Sequence, residues 1–480
     1  MLKIYCLLVT HFFCTAAIAQ QWQDLHSFLP KGAQVSYLVI DAKEQSTIAS
    51  FHEQTLRTPA SVQKLLTATT AKLYLGADYR YQTSIQGNSN LITDGEYEGN
   101  LTLYFSGDPS LTRNNIRKML LELKLLGVRK VTGNFILNKS HFNGYQWSDG
   151  QAWNDLGVCY TAPSSAIIIN KNCVLGNLSL KHEGAKKATL YIPDYEPINI
   201  TSDVSVVTIK QREERFCALE VTRNSQNKYH LWGCIVPRQR YFPLAFAVND
   251  PGLYAQNIIA DELESAGIQL TGQVKVDSLI VPVNGSGQLK DGSETLVLHQ
   301  SEPLDVLLQE MMKESDNLIA DSLFKTVGAR YFQQPGNFRN GAIAMKAILK
   351  ANGIDLENAY IADGSGLSRH NLMSAELFMS VLQFAYRQNS TLDLLRSFSI
   401  AGVDGTLQYH KGVNTQKLKG KVIAKTGSLK GVVNMLGLVK SDDGDKLFVL
   451  MINGYNNEDN PMNETTQKQP DESVYLFEKA

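Results

Sequence analysis

Three apolar runs near the C-terminus, "GKVIAKTGSL", "VVNMLGLVK" and "KLFVLMINGY", constrain the fold more than any other feature. Each is strand-length and rich in β-branched residues, and "SDDGD" joins the last two as a hairpin turn. Near the other end, "AQVSYLVIDAKEQSTIASF" (Ala33 to Phe51) alternates like two strands around a polar turn, and Pro59 opens a helix. "PLDVLLQEMMKESDNLIADSLFKTVG" is helical before the C-terminal strands. The two ends of the chain therefore read as one mixed domain with an insertion. Within the insertion, "EGNLTLYFSGDPSLT" is a strand running into a turn, "NNIRKMLLELKLLG" an amphipathic helix and "VTGNFILN" a strand. Residues 185–250 are polar and β-leaning, and "YAQNIIADELESAG" restores a helix. At 480 residues, two or three domains are expected.

Charge narrows the partners. Lys+Arg 46 against Asp+Glu 47 gives a net charge of −1, which argues against nucleic acid or an anionic membrane as the main partner. The first twenty residues, "MLKIYCLLVTHFFCTAAIAQ", are one Lys, an apolar run and a small-x-small site. They read as a secretory signal cut after Ala19. "HFFC" lacks the small residues expected before a lipidated cysteine. No later segment has the length and apolarity of a membrane span, so the mature protein is expected to be periplasmic and soluble.

Export changes how the cysteines read. Cys6 and Cys14 leave with the signal, and Cys159, Cys173, Cys217 and Cys234 remain, with three pairings open to them. Pairing of sequence neighbours, 14 and 17 residues apart, is the simplest. Each such bridge contributes about 3 kcal/mol in the chain-entropy picture. A zinc site is the alternative, but there is no Cys-x-x-Cys and no clustered His.

Three short motifs carry the chemistry. Ser-x-x-Lys occurs at Ser61/Lys64, Ser225/Lys228 and Ser322/Lys325. Only the first lies at a helix start, where a lysine one turn from a serine can take its proton if burial or nearby positive charge keeps it neutral. The helix N-terminus also turns N–H groups toward developing negative charge. Ser225/Lys228 has no helix to present it, and Ser322/Lys325 falls mid-helix. Ser315-Asp316-Asn317 follows between two helical runs, and Lys425-Thr426-Gly427 lies on a strand where a substrate backbone must come close.

S-x-x-K, S-D-N and K-T-G in that order form the set of penicillin-binding proteins and class A β-lactamases. Ser315 follows Ser61 at a far longer interval than in a compact β-lactamase. The chain resembles the D-alanyl-D-alanine carboxypeptidase/endopeptidases of the penicillin-binding protein 4 type, the class C low-molecular-mass group. The resemblance runs from about Gln34 to Tyr455 and includes "SGDPSLT", "WNDLGVCYTAPSSAIIINKNC", "DGSGLSRHN" and "VDGTL". It implies an α+β multidomain fold: a transpeptidase-like α/β/α sandwich around an antiparallel sheet, interrupted by inserted mainly β domains. The expected divisions are 20–84 with 285–480 for the catalytic domain, 85–184 with 257–284 for the second, and 185–256 for a third nested in it.

The resemblance also implies roles. Ser61 is the expected nucleophile and Lys64 its base. Ser315 relays the proton, Lys425 holds the network's charge and Asn317 binds the substrate amide. The N–H groups of Ser61 and Ser428 form the oxyanion hole. Thr426 and Ser428 hold the terminal carboxylate across Gly427, with Arg369 assisting. Asp155 matches the acid that binds the side-chain ammonium of meso-diaminopimelate, in a pocket lined by Tyr160 and Leu429. No metal or cofactor is implied. Expected partners are peptidoglycan stem peptides and cross-links, with β-lactams as covalent inhibitors.

Two rival functions remain. A class A β-lactamase needs a glutamate for deacylation, in a Glu-x-x-x-Asn stretch between S-D-N and K-T-G. Here that interval holds only Glu357 and Glu376, neither with Asn four residues on. A non-catalytic peptidoglycan-binding protein is the other, but it has no use for both lysines.

Overall fold

The structure is a computed structural model that describes Leu29 and residues 32–237, 241–277 and 293–454. The expected signal sequence, Cys6, Cys14, the domain edge at 285 and the tail after Asn456 lie outside the described residues. The fold is α+β and multidomain, in two compact units. Among the described residues, those up to Tyr79, Ser148–Gln151 and those from Pro303 on form one, and Arg80–Trp147 with those from Ala152 to Glu302 form the other. No helix among the described residues is long and apolar enough to cross a membrane.

The first unit contains β1 (Gln34–Asp41), β2 (Thr47–Phe51), α1 (Lys64–Leu75), α2 (Leu304–Lys313) and α3 (Asn317–Phe332). It continues with α4 (Phe338–Ala351), α5 (Ala375–Arg387), β3 (Ser399–Ile400), β4 (Val422–Leu429), β5 (Val432–Val439) and β6 (Lys446–Asn453). The sheet order is β3-β4-β5-β6-β1-β2, antiparallel throughout. The chain's two ends thus share one sheet, with Gln34 opposite Asn453 and Asp41 opposite Lys446. β5 and β6 are buried along their whole length, which is why they read as continuous apolar runs instead of alternating. One sheet face, including Val35, Tyr37, Met435 and Leu450, packs under Ala401, Leu407, Val413 and Leu418. α5 packs on β1 and β6, and α1 is surrounded by α2, α3, α4 and α5. Burial all round explains why α1 carries little apolar–polar segregation.

The second unit is built on a five-stranded sheet ordered Val274–Asp277, Phe135–Asn138, Leu101–Tyr104, Gln82–Gly87 and Glu294–Gln300. Helices Arg113–Leu125 and Pro251–Ala266 pack together and against its outer strands. Their Ile116, Leu120, Ile258 and Leu263 share a core with Leu103 and Phe135. A second core gathers Leu178, Leu219, Tyr229, Leu231 and Phe246 around short strands from Cys173–Ser179 to Phe242–Ala247. Both disulfides join sequence neighbours, Cys159–Cys173 and Cys217–Cys234, with Cα atoms 5.2 and 5.9 Å apart.

Candidate active site

Ser61 sits on a tight 3-10 turn, Ala60–Gln63, that runs into α1. The sequence suggests a plain α-helical first turn. The difference arises at Ala60, whose φ of 51° lies in the left-handed region and costs a non-glycine residue on the order of 1 kcal/mol or more. Gly366 packs against this bend, and a Cβ on it would lie 1.9 Å from the Ala60 carbonyl oxygen.

The turn leaves Ser61 part-exposed and Lys64 fully buried, with Lys64 Nζ 3.0 Å from Ser61 Oγ. Lys64 Nζ also donates to Asn317 Oδ1 at 2.6 Å and to the Ser365 carbonyl at 2.8 Å. A neutral amine has two hydrogens and one lone pair. Were the amine neutral, with its two hydrogens on these oxygens, its lone pair would face the Ser61 hydroxyl, the arrangement a general base requires.

The second motif is shaped by a helix cap. The Asp316 carboxylate accepts from Ile319 N at 2.9 Å, fixing Asn317 as the first residue of α3 and leaving Ser315 just outside with φ 61°. The third motif lies on β4. Lys425 is fully buried and donates from Nζ to Ser315 Oγ at 2.8 Å and to its neighbour's carbonyl, Thr426 O, at 3.0 Å. Thr426 Oγ1 donates to Thr406 Oγ1 at 3.0 Å.

Gly427 allows the strand to lie flush against the serine turn. A Cβ there would come within 2.8 Å of Val62 N and 2.9 Å of Ser61 N. Asn434 on β5 ties the same turn to the sheet. It donates to the Thr58 and Pro59 carbonyls at 2.9 and 2.6 Å and accepts from Ile452 N at 3.1 Å. At the end of β4, Ser428 is exposed and Leu429 half-buried. Arg369, also exposed, donates to the carbonyl of Lys430, one residue past Leu429.

Direct hydrogen bonds thus join Ser61, Lys64 and Asn317 in one set, and Ser315 with Lys425 in another. Thr426, Ser428, Leu429 and Arg369 lie along or beside the end of β4. Asp155 and Tyr160 belong to the second unit. Asp155 ends the turn Trp153–Asp155, its carbonyl accepting from Thr161 Oγ1 at 2.8 Å, and Tyr160 follows Cys159. The two other Ser-x-x-Lys matches separate cleanly from the first. Ser225 and Lys228 are exposed. Ser322 and Lys325 are buried inside α3, with Lys325 Nζ 4.1 Å from the centre of the Phe338 ring.

Asn434, Ser365, Asp321 and Asp363 are site-supporting residues that the motifs do not contain. Asp363 and Ser365 lie in "DGSGLSRHN", and Asn434 stood out as a polar residue inside an otherwise apolar strand; Asp321 left no signal.

A buried lysine set against a serine is the geometry that a serine-acylating hydrolase needs. Comparison with known proteins is more specific: residues 15–473 match the D-Ala-D-Ala carboxypeptidase 3 (S13) family. The chain belongs to that family. It is 38% identical to the D-alanyl-D-alanine carboxypeptidase DacB of Haemophilus influenzae over 437 residues, 91% of this chain and 88% of the relative. The crystal structure of penicillin binding protein 4 (dacB) from H. influenzae superposes with a TM-score of 0.84 at 35% identity, covering 95% of this chain and 97% of that one. The same H. influenzae protein in complex with a β-lactam gives 0.80 at 34% identity, with the same coverage.

Proposed function

We propose that the chain is an exported, penicillin-sensitive serine DD-peptidase of peptidoglycan, acting through a Ser61 acyl-enzyme. The observation that carries this reading is the Lys64 amine, held by Asn317 and Ser365 with its third direction on Ser61 Oγ. Ser61 Oγ attacks the carbonyl of the penultimate D-Ala while Lys64 takes its proton. The N–H groups of Ser61 and Ser428 receive the oxyanion. Ser315, with Lys425 behind it, passes a proton to the departing D-Ala amine, and water then releases the acyl group. Asn317 binds the substrate amide, and Thr426, Ser428 and Arg369 hold the terminal carboxylate.

The same acylation serves two substrates that differ beyond the scissile bond. D-Ala-D-Ala termini give carboxypeptidase activity, and D-Ala-meso-diaminopimelate cross-links give endopeptidase activity. Asp155 binds the diaminopimelate ammonium, with Tyr160 lining that pocket. The protein works in the periplasm, reached through the cleaved N-terminal signal, and the chain is arranged as a catalytic domain carrying a second domain with a third nested in it. Digestion of purified monomeric and cross-linked muropeptides, followed by mass, tests the assignment. Loss of terminal D-Ala and cleavage of cross-links support it, and unchanged muropeptides contradict it.

A further inference from the structure

Behind Lys64 lies a charge cluster outside the three motifs. Asn317, Asp321 and Lys325 stand four residues apart along α3 and so share one face. Asp321 is buried. Its Oδ1 accepts from Gly364 N at 3.0 Å and Ser365 N at 2.9 Å, and its Oδ2 accepts from Ser365 Oγ at 3.2 Å. The carbonyl of that same Ser365 accepts from Lys64 Nζ at 2.8 Å.

Asp363, wholly buried, holds the segment from its other side. Its Oδ1 takes Gly366 N and Asn371 Nδ2, each at 2.8 Å, and its Oδ2 takes Ser148 Oγ and Ser368 N, each at 2.7 Å. The segment thus rests on two carboxylates and turns one carbonyl to Lys64. A carbonyl held this way cannot drift without breaking several of these hydrogen bonds.

The charges acting on Asp321 are Asp363 from the segment, Lys325 from α3 and Lys64 from α1. Burial raises the Asp321 carboxyl above the usual carboxylate range, and Asp363 adds to this. Lys325 and Lys64 pull the other way. Burial likewise lowers Lys325, against the opposing attraction of Asp321.

We propose that Asp321 is a positioning residue for Lys64, gripping the Gly364–Ser365 backbone whose carbonyl aims the amine at Ser61. This rests on the serine-acylation reading above. Asp321 touches no reacting atom and acts through the Ser365 carbonyl.

The test is the first-order acylation constant at saturating benzylpenicillin across pH, which is independent of how much protein is folded. Asp321→Ala is expected to slow acylation about tenfold or more. Asp321→Asn keeps an acceptor for the two N–H groups and is expected to stay within about threefold of the parent at its optimum. Rescue by Asn and not by Ala is the signature of the acceptor oxygen that grips the backbone. An Ala variant with the parental constant overturns the proposal. Should the Ala variant not fold, an Asp321→Asn constant more than about tenfold below the parent at every pH overturns it alone. A parent that penicillin fails to acylate contradicts the serine-acylation reading itself, and this role falls with it.

Discussion

Ser315 and Lys425, 110 residues apart in the chain, meet in a 2.8 Å hydrogen bond. The Asp316 cap places one partner and β4 the other, so helix and strand must both be correctly seated for the pair to form. Ser315→Ala removes the hydroxyl that accepts from Lys425 and that the proposed mechanism uses to pass a proton to the leaving group. Acylation by penicillin is expected to fall about 100-fold, with little change in thermal midpoint. Parental acylation by a folded Ser315→Ala protein would remove the relay.

Gly427 is a steric requirement that can be tested on its own. A methyl group there meets backbone atoms of Val62, Ser61 and Pro59 at 2.8–3.0 Å, and none of these is the far end of a flexible side chain. Gly427→Ala is expected to push β4 off the serine turn and cost about 100-fold in acylation. Stopped-flow acylation alongside circular dichroism separates this from unfolding.

Asp155→Ala is expected to divide the two activities. Loss of one charge-assisted contact should lower kcat/KM on a diaminopimelate cross-linked muropeptide about 10- to 100-fold. A short diacetylated D-Ala-D-Ala peptide has no such ammonium and should change less than about twofold. Equal losses on both substrates would detach Asp155 from the pocket.

Asp108, in the second unit, is expected to shape pH stability. Burial raises its carboxyl above the unfolded value, against opposing bonds from Ser110 and the pull of His299. A raised folded value means that the ionised carboxylate costs stability above that value and nothing below the unfolded one. Its Oδ2 is buried without a hydrogen-bond partner, while Oδ1 accepts from Ser110 N and Oγ. Asp108→Asn should therefore raise the urea midpoint at pH 7, with the gain fading as pH falls to about 4. A lower midpoint at pH 7 would contradict this.

Where local pattern and tertiary role coincide, the sequence was readable. β5 and β6 are continuous apolar runs because both faces are covered, whereas the hairpin at 33–51 does not alternate as its sequence suggested: Val35–Ile40 of β1 are buried in succession, because β1 lies inside the sheet between β6 and β2. Long-range pairing was not readable. Glu294–Gln300 pairs with Gln82–Gly87 across some two hundred residues, and no periodicity encodes that partner. "VTGNFILN" resolves into Lys130–Val131 and Phe135–Asn138 in two different sheets, split at Gly133, where a Cβ would lie 2.3 Å from the Gly99 carbonyl oxygen. In the site, motif residues announce themselves by chemistry and order. Asp321 does not, because a buried carboxylate that grips backbone N–H groups needs no particular sequence neighbour, and Asp363 shows only as part of "DGSGLSRHN", without its role. The geometry at Ser61 was also hidden, since three-residue spacing puts Ser61 and Lys64 on one side of either a 3-10 or an α turn.

Ser61 is proposed as the acylated nucleophile. Intact-protein mass spectrometry after exposure to benzylpenicillin, with peptide mapping, decides whether it is. One penicilloyl group per chain, on the peptide containing Ser61, persisting over minutes and absent from Ser61→Ala, is the predicted result. No adduct, an adduct that survives Ser61→Ala, or rapid turnover of the penicillin would contradict it.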